Sequence, residues 1–484
     1  MMDTTVKQPA MNRTQRQQAM TRDLAWTVSR PEAVFPARSL EGIRIRDWSA
    51  LSQPLQPTLE QYWKLQGEKD KRLYAITDAF AQNNGQLGLS DARYANAIKL
   101  LLQAFTPIEY SAHRGYARVA RQLGLTDSAF LSADHLRHNH LEVHAASHFN
   151  KYFNGMHSYT EWFDHHWMLA VAKSYADDLL SAGPFEFLVA MAMGYNSVIS
   201  NTLHVSFMSA SADNGDMSTS SAGLTAQSDK VRHQVAGQAL VKFLVEQDPA
   251  NLATVQAWID KWFWRSVRLS SLVAVMQDYM LPFHSQSWQE VWTMYVAKPL
   301  TNLFETWQPL GLALPRHWQQ ACEQQTHVSH QSWLRLCRYS AGLPLHVWAP
   351  NAAALDWLSQ KYPGTFDALF RPHLMGLAHQ VAHGQRPFET TAPVLCGTCQ
   401  LPVPGVDGEQ ALAQASALKG RCFCSLPCQQ IFNLDVDKHS AQAANSAQRH
   451  GWTMPALQAA DGGLFEGSQD EHNFEKWNGG AQHS

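Results

Sequence analysis

The chain lacks any uncharged apolar run of about 18 residues, the length a membrane-spanning helix requires. Its longest apolar stretches therefore read as buried helices. Its first residues, MMDTTVKQPAMNRTQRQQAMTRD, lack the apolar core of a secretory signal, which predicts a cytoplasmic protein. It lacks an excess of either charge: 38 basic against 41 acidic residues leave a net charge of -3. That balance offers no footprint for nucleic acid or an anionic membrane surface. Only 16% of residues are charged, too few to keep segments unfolded, whereas 45% are hydrophobic and supply a large core.

Glycine and proline are also scarce where it matters. From about Pro57 to Leu314 they rarely interrupt the long periodic segments 58–82, 91–123, 130–153, 165–182, 185–209, 221–247, 251–279 and 288–310. Apolar residues recur three and four apart within them, as in Ala97, Leu100, Leu101 and Ala104, so the core is expected to be a helical bundle. Two further helical stretches, around Trp318 to Ser340 and Asn351 to Tyr362, are expected on its outside. Residues 1–55 read as an extended arm, 56–385 as the helical domain, 386–445 as a small separate module and 446–484 as a loose tail. Seventeen tryptophans, Trp262 and Trp264 among them, favour a large helical core or a subunit interface.

Seven cysteines are spread unevenly, five of them between Cys396 and Cys428. Cys396 and Cys399 form a C-x2-C pair, and Cys424 and Cys428 a C-x3-C pair, a strong spacing for tetrahedral zinc. Four thiolates leave no open coordination position, so the expected role of the zinc is structural. Cys422 falls outside the quartet and is expected to be a free thiol.

Two pieces of sequence echo one another: Asp134 to His138 and Asp229 to His233 both read D-x-x-R-H. On a helix each histidine shares a face with its aspartate and with position 135 or 230. The spacing is that of the Glu-x-x-His metal pair of ferritin-like two-metal proteins, with the Glu changed.

IEYSAHRGYARVARQL from Ile108, HAASHFNKYF from His144, AGPFEFL from Ala182, NGDM at Asn214 and AQSD at Ala226 resemble a known family, as do IDKWFWR from Ile259, DYMLP from Asp278 and WLSQKYPGTFD from Trp357. It is the large, or alpha, hydroxylase subunit of bacterial multicomponent phenol, toluene and methane monooxygenases, with phenol hydroxylase the nearest. The resemblance spans roughly residues 58–440. It implies an all-α, ferritin-like bundle with a small C-terminal zinc-binding treble-clef module of YHS type, closed by the helix at PCQQIF from Pro427.

The resemblance also carries the family's two-iron ligands onto this chain. The first Glu falls on Glu109 and is kept; the next has become His135, beside the kept His138. The third Glu has become Asn196, and the last has become Lys230, beside the kept His233. Asp134 and Asp229 fall where the family orients its ligand histidines, with Arg137 and Arg232 as their partners, and Ser200 and Asn201 fall on the oxygen-binding side. Two irons with one carboxylate would leave about four positive charges almost unneutralised in a low-dielectric interior.

Three readings of the site follow. His138 and His233 are polar core residues bonded to Asp134 and Asp229, with Lys230 paired to Glu109; or Glu109, His135, His138 and His233 hold one divalent ion; or two irons assemble on weaker ligands. The neighbouring His140, His144, His148, His165 and His166 are expected on other faces, and Glu186, ten residues before Asn196, stands too far along its helix to replace the lost ligand. The function expected is that of a non-catalytic or altered-metal assembly or regulatory paralogue. The alternative is an active oxygen- and NAD(P)H-dependent hydroxylase of phenol or related aromatics. By resemblance the partners are beta- and gamma-type hydroxylase subunits or a catalytic paralogue, a coupling protein and a flavin and iron-sulfur reductase.

Overall fold

The computed structural model describes residues 41–51, 58–72, 92–149, 167–339, 350–383, 393–403 and 422–441, with a few single positions between them. Most of the expected arm, the expected tail, and His165 and His166 lie outside the described residues.

Helix α1 (Leu59–Arg72) lies across the bundle. The bundle itself begins with α2 (Ala92–Leu123) and α3 (Thr126–Phe149), which run back antiparallel across Gly124, a residue with a left-handed φ of +67°. Pro107 stands inside α2 and removes one backbone donor two residues before Glu109; Ser111 Oγ bonds the Pro107 carbonyl at 2.9 Å. Next come α4 (Ala170–Ser181) and α5, regular over Pro184–Val189 and wide-turned, with π-type hydrogen bonding, over Ala190–Met208. π-type turns are rare and cluster at functional sites, and this stretch carries Asn196, Ser200 and Asn201.

Helix α6 (Met217–Gln247) starts at Asp216, whose side chain accepts the Thr219 amide at 3.0 Å. It approaches α5 so closely at Gly237 that a Cβ there would stand 2.5 Å from Ala192 Cβ. Helix α7 (Asn251–Val275, wide-turned through Met276–Met280) carries Trp262 and Trp264 fully buried. Helices α2, α3, α5 and α6 surround the candidate centre, and α7 backs α5. The bundle expected from sequence is present, and no strand occurs among the described residues.

Beyond it, α8 runs through Trp288–Trp292, Thr293–Ala297 and Lys298–Trp307. The stretch expected as one helix at 318–340 is two, Trp318–Gln324 and Val328–Tyr339, and Ala352–Lys361 is followed by Thr365–Leu369 and Arg371–Ala382. The last two were not expected from the sequence pattern, and only Phe370 separates them. Nor does this region lie wholly outside: Trp333 is fully buried and stacks on Tyr279 of α7 with ring centroids 4.8 Å apart.

No helix of the described residues is long and apolar enough to cross a membrane.

Candidate functional site

Lys230 projects from α6 into the middle of the bundle and donates to Glu109 Oε1 of α2 at 2.6 Å, both side chains fully buried. Its ammonium also stands 3.3 Å from His135 Nδ1 and 5.0 Å from the centroid of the Tyr195 ring. Glu109 is saturated: Tyr195 Oη donates to Oε1 at 2.8 Å, and His135 Nδ1 meets Oε2 at 2.7 Å. Burial works against its charge, but Lys230 and then His135 outweigh burial and hold the carboxyl well below its usual range. Burial pulls Lys230 below its ordinary value, with Glu109 pulling it back.

The two D-x-x-R-H segments cross. His138 Nε2 of α3 is 3.0 Å from Asp229 of α6, and His233 Nε2 of α6 is 2.9 Å from Asp134 of α3. The histidines thus meet the aspartate of the opposite helix rather than their own. Arg137 pairs with Asp229, and Arg232 with Asp134 at 2.8 Å. Helix α1 seals this layer: Tyr62 donates to Asp134, Gln66 Nε2 reaches both aspartates at 3.2 Å, and Lys69 pairs with Asp229 at 3.0 Å. Against its burial, the His233 hydrogen bond and the charges of His233 and Arg232 keep Asp134 ionised far below the usual range.

The structure brings Glu109, His135 and His138 together, with ligand-type atoms mutually within 4.8 Å, and places the His233 ring 4.8 Å from that of His135, centroid to centroid. Asn196 is buried on α5 with its Nδ2 unpartnered. Ser200 Oγ is 3.4 Å from Asn196 Oδ1, and Asn201 is tied outward to the Tyr295 carbonyl at 3.2 Å. Glu186 is committed elsewhere, to Lys261 at 2.8 Å and Trp262 Nε1 at 3.1 Å. Of the neighbouring histidines, His140 is exposed, His144 half-buried and His148 buried.

Several residues of the site were not singled out from the sequence. Tyr195 precedes Asn196 and satisfies Glu109; Tyr116 stacks on His135 with centroids 5.3 Å apart. Glu142 lies two turns along α3 from His135, and burial, reinforced by the Glu109 charge, raises it well above the carboxylate range. His204 is fully buried on α5, and burial, with Lys230 nearby, lowers it to about 3. The available signal was helical spacing: position 142 is seven residues from 135, and 204 is eight from 196.

At the C-terminal end, the sulfurs of Cys396, Cys399, Cys424 and Cys428 converge within 4.8 Å of one another. Cys424 Sγ is 3.5 Å from both Cys399 Sγ and Cys428 Sγ. A bridge between Leu395 and Pro402 closes the first pair into a knuckle, and the second pair opens helix Leu426–Leu434. Cys422 is not among the converging sulfurs. The cluster is docked on α7: Trp264 Nε1 donates to Cys428 Sγ at 3.4 Å, Arg265 donates to the Thr398 carbonyl at 2.9 Å, and the thiols lie close enough to Arg268 to raise its basicity despite its burial. Three buried sulfurs and the half-buried Cys424, with one indole donor and a guanidinium, suit a thiolate-bound dication.

The model of the methane, phenol and alkene hydroxylase family matches residues 25–248. The oxygenase component DmpN of phenol 2-monooxygenase from Pseudomonas sp. strain CF600 is 45% identical over 87% of this chain and 83% of its own length. The chain belongs to this hydroxylase family. A crystal structure of xenon-pressurised phenol hydroxylase from Pseudomonas sp. OX1 superposes with a TM-score of 0.81 at 37% identity, over 97% of this chain and 100% of that one. The methane monooxygenase component A alpha chain of Methylococcus capsulatus is 20% identical over 64% of this chain and 60% of its own length. These relatives are described as components or chains of larger monooxygenase systems.

The hydroxylase family is a two-iron family; the group gathered at the centre of this bundle holds one carboxylate, Glu109, with His135 and His138. An ammonium is bonded to Glu109, and an imidazole and an amide occupy positions 135 and 196. A carboxylate bridges two cations and reduces their charge; neither Lys230 nor Asn196 does either.

Proposed function

We propose that this chain is a hydroxylase-family large subunit that does not perform two-iron oxygen chemistry and acts through binding and assembly. The observation that carries the reading is the Lys230 ammonium held 2.6 Å from Glu109 in the middle of the bundle. An ammonium there supplies a single positive charge that one carboxylate neutralises, so the helices are held together without metal. An active aromatic hydroxylase, the alternative, needs that space for two dications.

The rest of the proposal follows from what is retained. The bundle keeps the shape of its relatives, and relatives named as oxygenase components and alpha chains assemble with other subunits. The partners proposed are accordingly beta- and gamma-type helical subunits or a catalytic paralogue, with the coupling protein and the flavin and iron-sulfur reductase of such systems nearby. The sulfur quartet binds zinc, which fastens residues 393–403 and 422–441 to α7. The test is co-expression with the beta- and gamma-type subunits of a phenol hydroxylase, followed by assay with that system's coupling protein, reductase and NAD(P)H: the reading predicts a complex that assembles and yet forms no hydroxylated product from phenol. Phenol hydroxylation coupled to oxygen uptake by that complex would overturn it.

A further inference from the structure

A cavity of about 420 Å3, part of it open to solvent, lies where the turn between α2 and α3 meets α5 and α6. Leu125, Leu131, Leu188 and Leu240 form its walls, all of them buried. The ring of Tyr116 closes its inner end; the same ring stacks on His135 with centroids 5.3 Å apart and meets Phe187 edge-on at 5.1 Å. Leu51 and Ala236, both half-buried, mark its mouth. Two polar residues reach it, Asp127 and Ser128 in the first turn of α3, and both are buried.

The gap is built into the crossing of α5 and α6, where the close approach at Gly237 leaves α6 with two small residues, Ala236 and Gly237, facing the leucines. Water fits such a space poorly, because a buried water needs about two to four polar partners and leucine offers none. An apolar molecule fits it well: empty space beside leucines costs their side chains dispersion contacts, and a ligand restores them. Apolar walls with a few polar groups that fix orientation are the usual make-up of a small-molecule pocket. Asp127 determines which polar group the ligand carries. A carboxylate accepts hydrogen bonds and donates none, so it calls for a donor. At the N-terminus of α3 its charge is already favoured by the helix dipole, so a neutral donor suffices. A carboxylate or phosphate on the ligand meets like charge there.

We infer that this cavity binds a small neutral alcohol, a molecule of up to one ring that is apolar over most of its surface and carries one hydroxyl. Its apolar body lies among the leucines against Tyr116, and its hydroxyl donates to Asp127. The site is separate from the Lys230 and Glu109 centre, because the Tyr116 ring stands between the cavity and His135. The occupant touches α2 through Tyr116, α3 through Leu131, α5 through Leu188 and α6 through Leu240. These four helices surround the centre, so binding stabilises the bundle without taking part in any reaction. The inference is independent of whether the chain hydroxylates anything.

The test uses the full-length chain and 4-bromobenzyl alcohol. Crystals soaked in it are expected to show bromine, located by its anomalous scattering, between Leu131 and Leu240. Calorimetry is expected to show one saturable equivalent per chain. 4-Bromotoluene, which lacks the donor, should bind at least about tenfold more weakly, the usual loss when a hydrogen bond to a charged acceptor is removed. 4-Bromobenzoate should not bind. Ala236→Phe fills the mouth and should abolish binding, whereas Ala236→Ser leaves the space open and should bind as the parent does. Because the wild-type chain is measured first, the inference does not depend on the folding of either variant. Bromine in the crystal without saturable heat in solution, which is binding at crystal concentration only, overturns it. So does bromine at another place, or equal affinity for all three compounds. Wild-type binding that disappears when a beta-type subunit is added overturns it as well, and assigns the cavity to a partner side chain.

Discussion

Lys230 and Glu109, 121 positions apart in the chain, meet as a fully buried ion pair at 2.6 Å where α6 and α2 face one another. Removing one member of a buried pair typically costs about 3–5 kcal/mol, whereas replacing both with groups of similar shape is often close to neutral. Lys230→Met should therefore lower the unfolding free energy by an amount in that range, and Lys230→Met with Glu109→Gln should recover most of it. A double-mutant cycle by denaturant unfolding checks this. Additive losses in the double variant would show that the pair is not coupled.

Lys230→Glu alone places two carboxylates together without a counter-charge. It should destabilise the chain at least as much as Lys230→Met, with a midpoint that rises as the pH is lowered and one carboxyl takes a proton. Thermal melts from pH 8 to pH 5 provide the measurement, and a variant as stable as the parent across that range would refute the pairing.

The wild-type chain should lose stability on acidification in two stages. Burial, followed by the Lys230 charge, pushes His135 down to about 3, so it folds neutral while the unfolded chain gains a proton near its ordinary value. A depressed histidine contributes stability that is present above about pH 6.5 and is lost as pH falls from there toward 3. Glu109, held well below the carboxylate range by Lys230 against its burial, adds a second loss below its unfolded value near 4.5. His135→Asn should make the first stage shallower by that one histidine's share, since buried His204 titrates in the same direction, and should also reduce the second, because His135 helps Lys230 hold Glu109 down. Equilibrium unfolding as a function of pH reads both.

Much of this was legible in the sequence. The long helices around the centre follow from apolar spacing and from the near-absence of glycine and proline within them, and the resemblance placed Lys230 opposite Glu109. What the sequence did not carry is the set of contacts that tertiary geometry alone creates. Spacing set His138 beside Asp134 of its own helix, whereas the fold turns its ring to Asp229 across the bundle. Tyr62, Gln66 and Lys69 reach the aspartates from a helix whose exposed polar residues gave no sign of an inward face. The cysteine quartet was evident from its spacing, but its seat against Trp264 and Arg268 was not.

That seat leads to a prediction on metal removal. Cys396→Ser or Cys428→Ser should release about one zinc per chain and raise hydrogen exchange in residues 393–403 and 422–441 and on the Trp264 to Arg268 face of α7, while far-ultraviolet helicity stays largely intact. Loss of helicity across the whole chain would show that the bundle depends on this segment.

Restoring the family's carboxylates tests whether the frame has survived. His135→Glu, Asn196→Glu and Lys230→Glu together should recover iron binding, since His138 and His233 are still oriented by Asp229 and Asp134. A triple variant that folds well and binds no iron would show that the helices have drifted from the spacing that two irons require.

The most direct test of the central claim is elemental analysis with Mössbauer spectroscopy on the wild-type chain purified from iron-replete cells. The account predicts iron well below two per chain, no oxo- or hydroxo-bridged pair, and about one zinc retained by the cysteine quartet. Two irons per chain with the signature of a coupled pair would contradict it.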